Sequence, residues 1–386
     1  MSSGNANQHQ PRLLALFPQL VGHGGVQEAG RQTCVALHQL SKTYGFGYEF
    51  LSLNDSRMIE TLALGGAQIS IRGFDRRKLS FVLSAIRSAR SFDHDLPSLV
   101  LAFHPNLGPP AEWARRSSPG AKLAIVSHGI DAWKPLPGAR GRALHRSDMA
   151  VAPSRYTCER LGTAQRVPAN RIFRLPWSLP LTTSELLESL QSVSLPPDFP
   201  GGRVVLAVGR WAHSERYKGA DLLIGSVAQL RKTFRDLHLV LVGEGDDLPR
   251  LEQLAAATGA SRNIHFIRGA SNEALAACYS RAEIFALPSS GEGFGFVFLE
   301  AMAFGKPVIA AAVGGATDIV RHELNGLLIS PGDSTQLSAA ITRLLNEEGL
   351  RSDLGKQAKE TIRTEFSATE FVGRVEVLLR ELGFLG

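Results

Sequence analysis

The sequence predicts an α/β protein made of two doubly wound, parallel-sheet domains, and three observations carry that expectation. Short apolar runs ending in glycine alternate with amphipathic stretches along the chain, as in repeated strand-turn-helix units. The length, 386 residues, exceeds the ~250–300 at which a single hydrophobic core stops growing. Charge is divided unevenly: residues 1–180 hold 22 Lys+Arg against 11 Asp+Glu, a net of +11, and the rest holds 20 against 25, a net of −5. A basic half and an acidic half imply two domains with different partners.

Residues 1–10 are polar and expected to be disordered. They lack the apolar core of a signal peptide, and no run approaches the ~20 apolar residues of a membrane-spanning helix, so the expected location is the cytoplasm. Cys34, Cys158 and Cys278 are too few and too scattered for a disulfide framework or metal knuckle, and read as small buried hydrophobes. A first domain over 11–180 opens with a strand at Leu13–Gln19. The turn with Gly22, Gly24 and Gly25 leads into a helix whose apolar face holds Val26, Cys34, Val35 and Leu37. Tyr48–Leu53 and Ala67–Ile71 are further strand candidates. Arg72, Arg76, Arg77, Lys78, Arg87 and Arg90 then surround Leu79, Val82, Leu83 and Ile86 at helical spacing. This reads as a basic amphipathic helix, packed by its apolar stripe, with a basic face either solvated or resting on an anionic membrane. Nucleic acid is not expected, because interleaved aromatics are missing.

Leu99–Phe103 and Leu123–Gly129 are strands whose carboxyl ends carry His104-Pro105-Asn106 and Ser127-His128-Gly129 with Asp131, at the edge where such sheets place ligands. Asp93-His94-Asp95 precedes its strand, so it falls at the opposite edge and carries no metal expectation. Asp148–Ser154 is a further strand, and Arg171–Pro180 closes the domain. Residues 181–202, rich in Ser, Pro and Gly, read as a helix fragment and linker.

A second domain over 203–365 opens with the strand Arg203–Arg210, and Lys218 follows eight residues later. Two cations past one strand suit the two phosphates of a diphosphate. Gly243 and Gly245 end the next strand, and Arg268 ends the one at Asn263–Gly269. The organising stretch is Ala282–Gly315: a strand at Ile284–Leu287, a loop with Gly291, Glu292, Gly293 and Gly295, a helix from about Phe294 to Phe304, and a strand at Val308–Val313. The glycines let backbone approach a ligand, and the helix start offers N–H groups to an anion. Glu292 and Glu300 lie two helical turns apart and suit hydroxyl donors. Gly326–Asp333 is a last strand, Ser334 opens a helix, and 366–386 closes the chain.

The run GEGFGFVFLEAMAFGKPVIA, with VGR at Arg210 and YKG at Lys218, resembles the E-x7-E signature of the retaining glycosyltransferases of family 4. That resemblance implies the GT-B architecture, two Rossmann-like domains facing across a cleft, with the last helix crossing back to the first domain. It implies a nucleotide diphosphate sugar, UDP- or GDP-linked, as donor and a hydroxyl acceptor that can be lipid-linked, in polysaccharide or glycolipid assembly. No metal and no further cofactor are expected. Arg210, Lys218 and the helix start at Gly293, Phe294 and Gly295 would hold the diphosphate, Glu300 the ribose and Glu292 the sugar. Gly243 and Arg268 would sit near the nucleotide, and His128 with Gly24 and Gly25 would meet the sugar from the first domain. Relatives carry Asn-Gly where this chain has Trp177-Ser178, which leaves the acceptor contacts there open. Two rival readings are a phosphorylase or synthase using the same phosphate site, and an inactive nucleotide-binding partner subunit.

Overall fold

The computed structural model describes residues 9–58, 60–188 and 194–386. The expectation of a disordered opening therefore lies, apart from His9 and Gln10, outside the described residues. The chain divides into two compact units, one running to Leu181 and including Ala368–Gly386, the other Thr182–Ser367.

The first unit is built on β1 (Arg12–Phe17), β2 (Gly47–Ser52), β3 (Thr61–Leu64), β4 (Ala67–Ser70), β5 (Arg72–Gly73), β6 (Ser98–Ala102), β7 (Lys122–Val126), β8 (Met149–Ala152) and β9 (Ile172–Arg174). Its sheet is parallel, in the order β5-β2-β1-β6-β7-β8-β9, so the order reverses between β1 and β6. The helices are α1 (Gly25–Tyr44), α2 (Lys78–Arg90), α3 (Gly108–Arg116), α4 (Gly138–Arg146) and α5 (Arg155–Thr163). Strands such as β1 and β6 are almost continuously apolar and buried, because helices cover both faces of the sheet.

The second unit begins with α6 (Leu181–Glu188), whose first residue still belongs to the first unit. It continues through β10 (Arg203–Val208), α7 (Ala220–Leu230), β11 (Leu237–Val242), α8 (Leu248–Ala257), β12 (Ile264–Ile267), α9 (Asn272–Arg281), β13 (Ile284–Leu287), α10 (Phe296–Ala303), β14 (Val308–Ala311), α11 (Ala316–Ile319), β15 (Gly326–Ile329), α12 (Ser334–Asn346) and α13 (Glu348–Glu365). Its sheet is also parallel, ordered β12-β11-β10-β13-β14-β15, with its reversal between β10 and β13. The last helix, α14 (Ala368–Glu381), packs on α1, and Tyr44 donates its hydroxyl to Glu376 at 2.6 Å.

Three local expectations need correction. The helix of the organising stretch starts at Phe296, with Gly295 as N-cap at φ 106°, so Phe294 belongs to the loop. The strand expected at Ala67–Ile71 pairs antiparallel with β3 in a separate two-stranded sheet. On α2 the buried face is Phe81, Ser84, Ala85 and Ala89 rather than the leucine stripe; Leu79 and Leu83 are 82% and 62% exposed. Small residues let α2 lie close to its neighbour α3, and Phe81 meets Phe74 edge-on at 5.3 Å in the core, which outweighs burying two leucines.

Candidate active site

In open parallel sheets, ligands bind outside the carboxyl ends of the strands where the order reverses. In the second unit the two segments that leave this point are the β10-α7 loop, carrying Arg210 and Lys218, and the β13-α10 loop, carrying Glu292. They are locked together by backbone. Ser290 N–H donates to the Tyr217 carbonyl at 2.8 Å. A Cβ on Gly219 would come within 2.8 Å of the Pro288 carbonyl oxygen, and Gly219 itself has φ 79°, so only glycine fits there.

Behind the second loop, Gly315 N–H donates to the Glu292 carbonyl at 2.7 Å. A Cβ on Gly314 would meet that same carbonyl oxygen at 2.6 Å, and one on Gly315 would lie 2.6 Å from Phe294 Cα. The turn after β14 is thus a glycine wedge that sets the height of the Glu292 loop.

Lys218 Nζ lies 3.7 Å from Glu292 Oε1. That oxygen is buried and has no hydrogen bond among the described residues. Lys218 Nζ also lies 3.5 Å from Glu215 Oε2, while Arg210 pairs with Glu215 Oε1. Glu215, itself buried, therefore bridges both cations. Tyr217 feels the same cluster: burial, then the nearby Glu292 carboxylate, push its phenol up to about 12, with Arg210 opposing. The β10-α7 loop is braced by Arg216 and Arg250 on the buried Asp247 at 2.7 and 2.6 Å, which together hold that carboxyl well below the usual range, Arg250 contributing most.

Glu300 lies farther along α10, where the fully buried Tyr279 donates its hydroxyl to Oε2 at 2.6 Å. Gly243 stands against Gly209 at the end of β10, where any Cβ would collide with the Gly209 carbonyl. Arg268 is paired with Glu252 at 2.6 Å on an exposed surface.

In the first unit, Gly24 caps α1 at φ 144° and Gly25 begins the helix. One turn into α1, buried Glu28 accepts from Leu181 N–H at 2.8 Å, and Gln32 bonds the backbone of Ser178. This holds Trp177, 1% exposed, with its ring stacked 5.8 Å from His128. His128 Nε2 donates to the Phe103 carbonyl at 2.9 Å; since a carbonyl only accepts, that nitrogen carries the proton. Asp131 takes the His128 and Gly129 backbone N–H groups. Burial lowers the His128 imidazole against the opposing pull of Asp131, so the ring is neutral at neutral pH.

The structure thus joins Arg210, Lys218 and Glu292 around Glu215 and places Glu300 with Tyr279. Sequence reasoning missed Glu215 and Tyr279. Glu215 stands three residues before Lys218 and could have been found by that spacing; Tyr279 lies 21 residues from Glu300 and left no local signal.

The family model for glycosyl transferases group 1 matches residues 197–361. Over 284 residues the chain is 30% identical to the GDP-mannose-dependent alpha-(1-6)-phosphatidylinositol monomannoside mannosyltransferase of Mycolicibacterium smegmatis, covering 68% of this chain and 71% of that one. It is 28% identical over 214 residues to an uncharacterized glycosyltransferase of Methanocaldococcus jannaschii, covering 54% of this chain and 53%, about half, of that relative. Among solved structures, Anabaena HepE in complex with UDP and glucose matches with a TM-score of 0.72 at 19% identity, over 96% of this chain and 100% of that one. Two parallel-sheet α/β units with these structural neighbours define a GT-B protein. The chain belongs to the glycosyl transferases group 1 family, the family 4 type.

Proposed function

We propose that the chain is a retaining glycosyltransferase that moves a hexosyl unit from a UDP- or GDP-linked sugar to a hydroxyl acceptor. The observation that carries this reading is Lys218 set 3.7 Å from a buried Glu292 oxygen that lacks a hydrogen bond. A buried carboxylate oxygen without a donor costs free energy until a ligand group supplies one, and a sugar hydroxyl beside a lysine-bound phosphate does so. As the C1–O bond to the diphosphate breaks, negative charge grows on the leaving oxygen. Arg210, Lys218 and the start of α10 form a fixed field that stabilises it. The acceptor oxygen bonds C1 on the face the diphosphate leaves, and its proton passes to the departing phosphate oxygen, so configuration is kept without a protein nucleophile. Two cations and a helix start do the charge neutralisation that a divalent metal does elsewhere, and no metal is assigned.

Glu300, oriented by Tyr279, takes the ribose hydroxyls. His128, Gly24 and Gly25 are assigned to the sugar side, and Gly243 and Arg268 to the nucleotide. No helix among the described residues is long and apolar enough to cross a membrane. The exposed Leu79 and Leu83 on basic α2 support peripheral contact with an anionic membrane face on the cytoplasmic side, and hence glycolipid or polysaccharide assembly.

The test is the thermal shift of the purified protein with UDP, GDP, ADP and their sugar conjugates, with and without magnesium. One base should raise stability by about 2.7 kcal/mol at hundredfold excess over its Kd, independently of magnesium, and Lys218→Ala should abolish the shift. Absence of any nucleotide shift would overturn the reading.

A further inference from the structure

A cavity of about 500 Å³ opens in the first unit between the carboxyl ends of α4 and α5. Its wall takes Pro135 and Leu136 from the loop before α4, His145 from the last turn of α4, Arg160 from α5, and Gln165 and Arg166 from the turn beyond α5. These helix ends lead back to the amino ends of β8 and β9, the edge of the sheet opposite to the one that carries His104 and His128. No lining residue is acidic. Gln165, 4% exposed, fixes the wall: its side chain accepts from Leu136 N–H at 3.0 Å and donates to the Ala132 carbonyl at 2.7 Å. Arg160 donates through Nε and Nη2 to the Trp133 carbonyl at 3.3 and 2.8 Å, and its Nη1 has no partner among the described residues. The exposed Arg166 side chain has no hydrogen-bond or ion-pair partner among them at all.

Basic residues are expected in the last turn of a helix, where the dipole end is negative, and that accounts for His145 and Arg160. It does not account for Arg166. This residue lies past the end of α5 with φ 55°, in the left-handed region that residues with a Cβ seldom enter and that glycine usually fills after a helix. The backbone there is strained, and no contact of the Arg166 side chain within the protein offsets the strain. A free guanidinium, a second one with a free Nη1, and an imidazole on one acid-free wall suit an oxyanion with several acceptor atoms, and phosphate is such a group. Pro135 and Leu136 offer apolar surface beside it, and the volume lies in the range of organic-ligand sites.

We propose that this cavity is a second phosphate site, separate from the one proposed at Arg210 and Lys218, in which Arg166 and Arg160 Nη1 grip the anion and His145 adds a ring N–H. The phosphate is either the free ion or a monoester whose organic part lies on Pro135 and Leu136. The site stands whether or not the chain is a transferase, because none of its residues belongs to the proposed donor site.

The test uses the full chain carrying Arg210→Ala and Lys218→Ala, which removes the cations of the other proposed phosphate site. Calorimetric titration with inorganic phosphate, phenyl phosphate and phenol should give one-to-one binding of a phosphate compound and none of phenol. Tighter binding of phenyl phosphate assigns a monoester, and equal or tighter binding of inorganic phosphate assigns the free ion. Adding Arg166→Gly should weaken that binding about tenfold, the effect of losing one charged hydrogen bond. The same substitution should raise the Tm of the ligand-free protein, because glycine is at ease at φ 55°. An arginine with a merely structural role would do the reverse, lowering Tm and leaving binding alone. Binding of neither phosphate, equal binding of phenol, binding indifferent to Arg166→Gly, or a lower Tm in that variant would overturn the site. Failure of the transferase reading is seen separately, as a wild-type protein that no nucleotide stabilises.

Discussion

Glu215 pairs with both Arg210 and Lys218, so under the proposed function its carboxylate competes with a diphosphate for these cations. Removing its charge should release them: Glu215→Gln is expected to tighten UDP or GDP binding about tenfold by calorimetry. A weaker affinity would mean that Glu215 only positions the two side chains. Tyr279 acts on Glu300 through a single 2.6 Å hydrogen bond. Tyr279→Phe keeps the ring that stacks on Phe304 at 5.6 Å and removes only the hydroxyl. Nucleotide affinity should fall about tenfold while turnover at saturating donor stays near wild type; an unchanged Kd would remove Tyr279 from the site. The two glutamates and two cations of the proposed donor site were readable from the residues around them. Of their partners, Glu215 lies within reach of local spacing, but Tyr279 was not readable, because a hydrogen bond between residues on α9 and α10 depends on how those helices pack.

At the scale of elements, the wedge formed by Gly314 and Gly315 sets the Glu292 loop. Gly315 has φ −65°, so its constraint is steric rather than conformational. Gly315→Val would drive a side chain into Gly293 and Phe294. Such overpacking costs about 1–3 kcal/mol, which chemical denaturation would register, and the displaced loop should bind nucleotide more weakly. A variant as stable as wild type with normal nucleotide binding would refute the wedge. Helix α2 shows how far periodicity reads. Its sequence contains two apolar faces, one of large leucines and one of Phe81 with small residues. Hydrophobicity alone chose the first; the close approach of α3 chose the second.

At the scale of the molecule, each unit holds a histidine pair that burial keeps neutral: His104 with His128 in the first, and His238 with His265, 3.0 Å apart, in the second. Each folded-state value lies below the ordinary 6.5, so below about pH 6.5 the unfolded chain binds more protons than the folded one. Stability from these groups is complete above that pH and is lost as pH falls toward the folded-state values. Tm should therefore decline between about pH 7 and 5, and His238→Asn should flatten the decline; a Tm constant over that window would contradict the assignment. The sequence by itself determined the alternation of strands and helices, the glycine turns and the Glu292–Glu300 spacing, since these depend on residues within a few positions of one another. Only the tertiary structure decided that the Arg210–Lys218 loop is locked to the Glu292 loop and that Tyr279 reaches Glu300. The physical reason is the strand order: β10 pairs with β13 and β1 with β6, and pairing across such sequence distances is chosen by burial of the whole sheet, not by any local pattern.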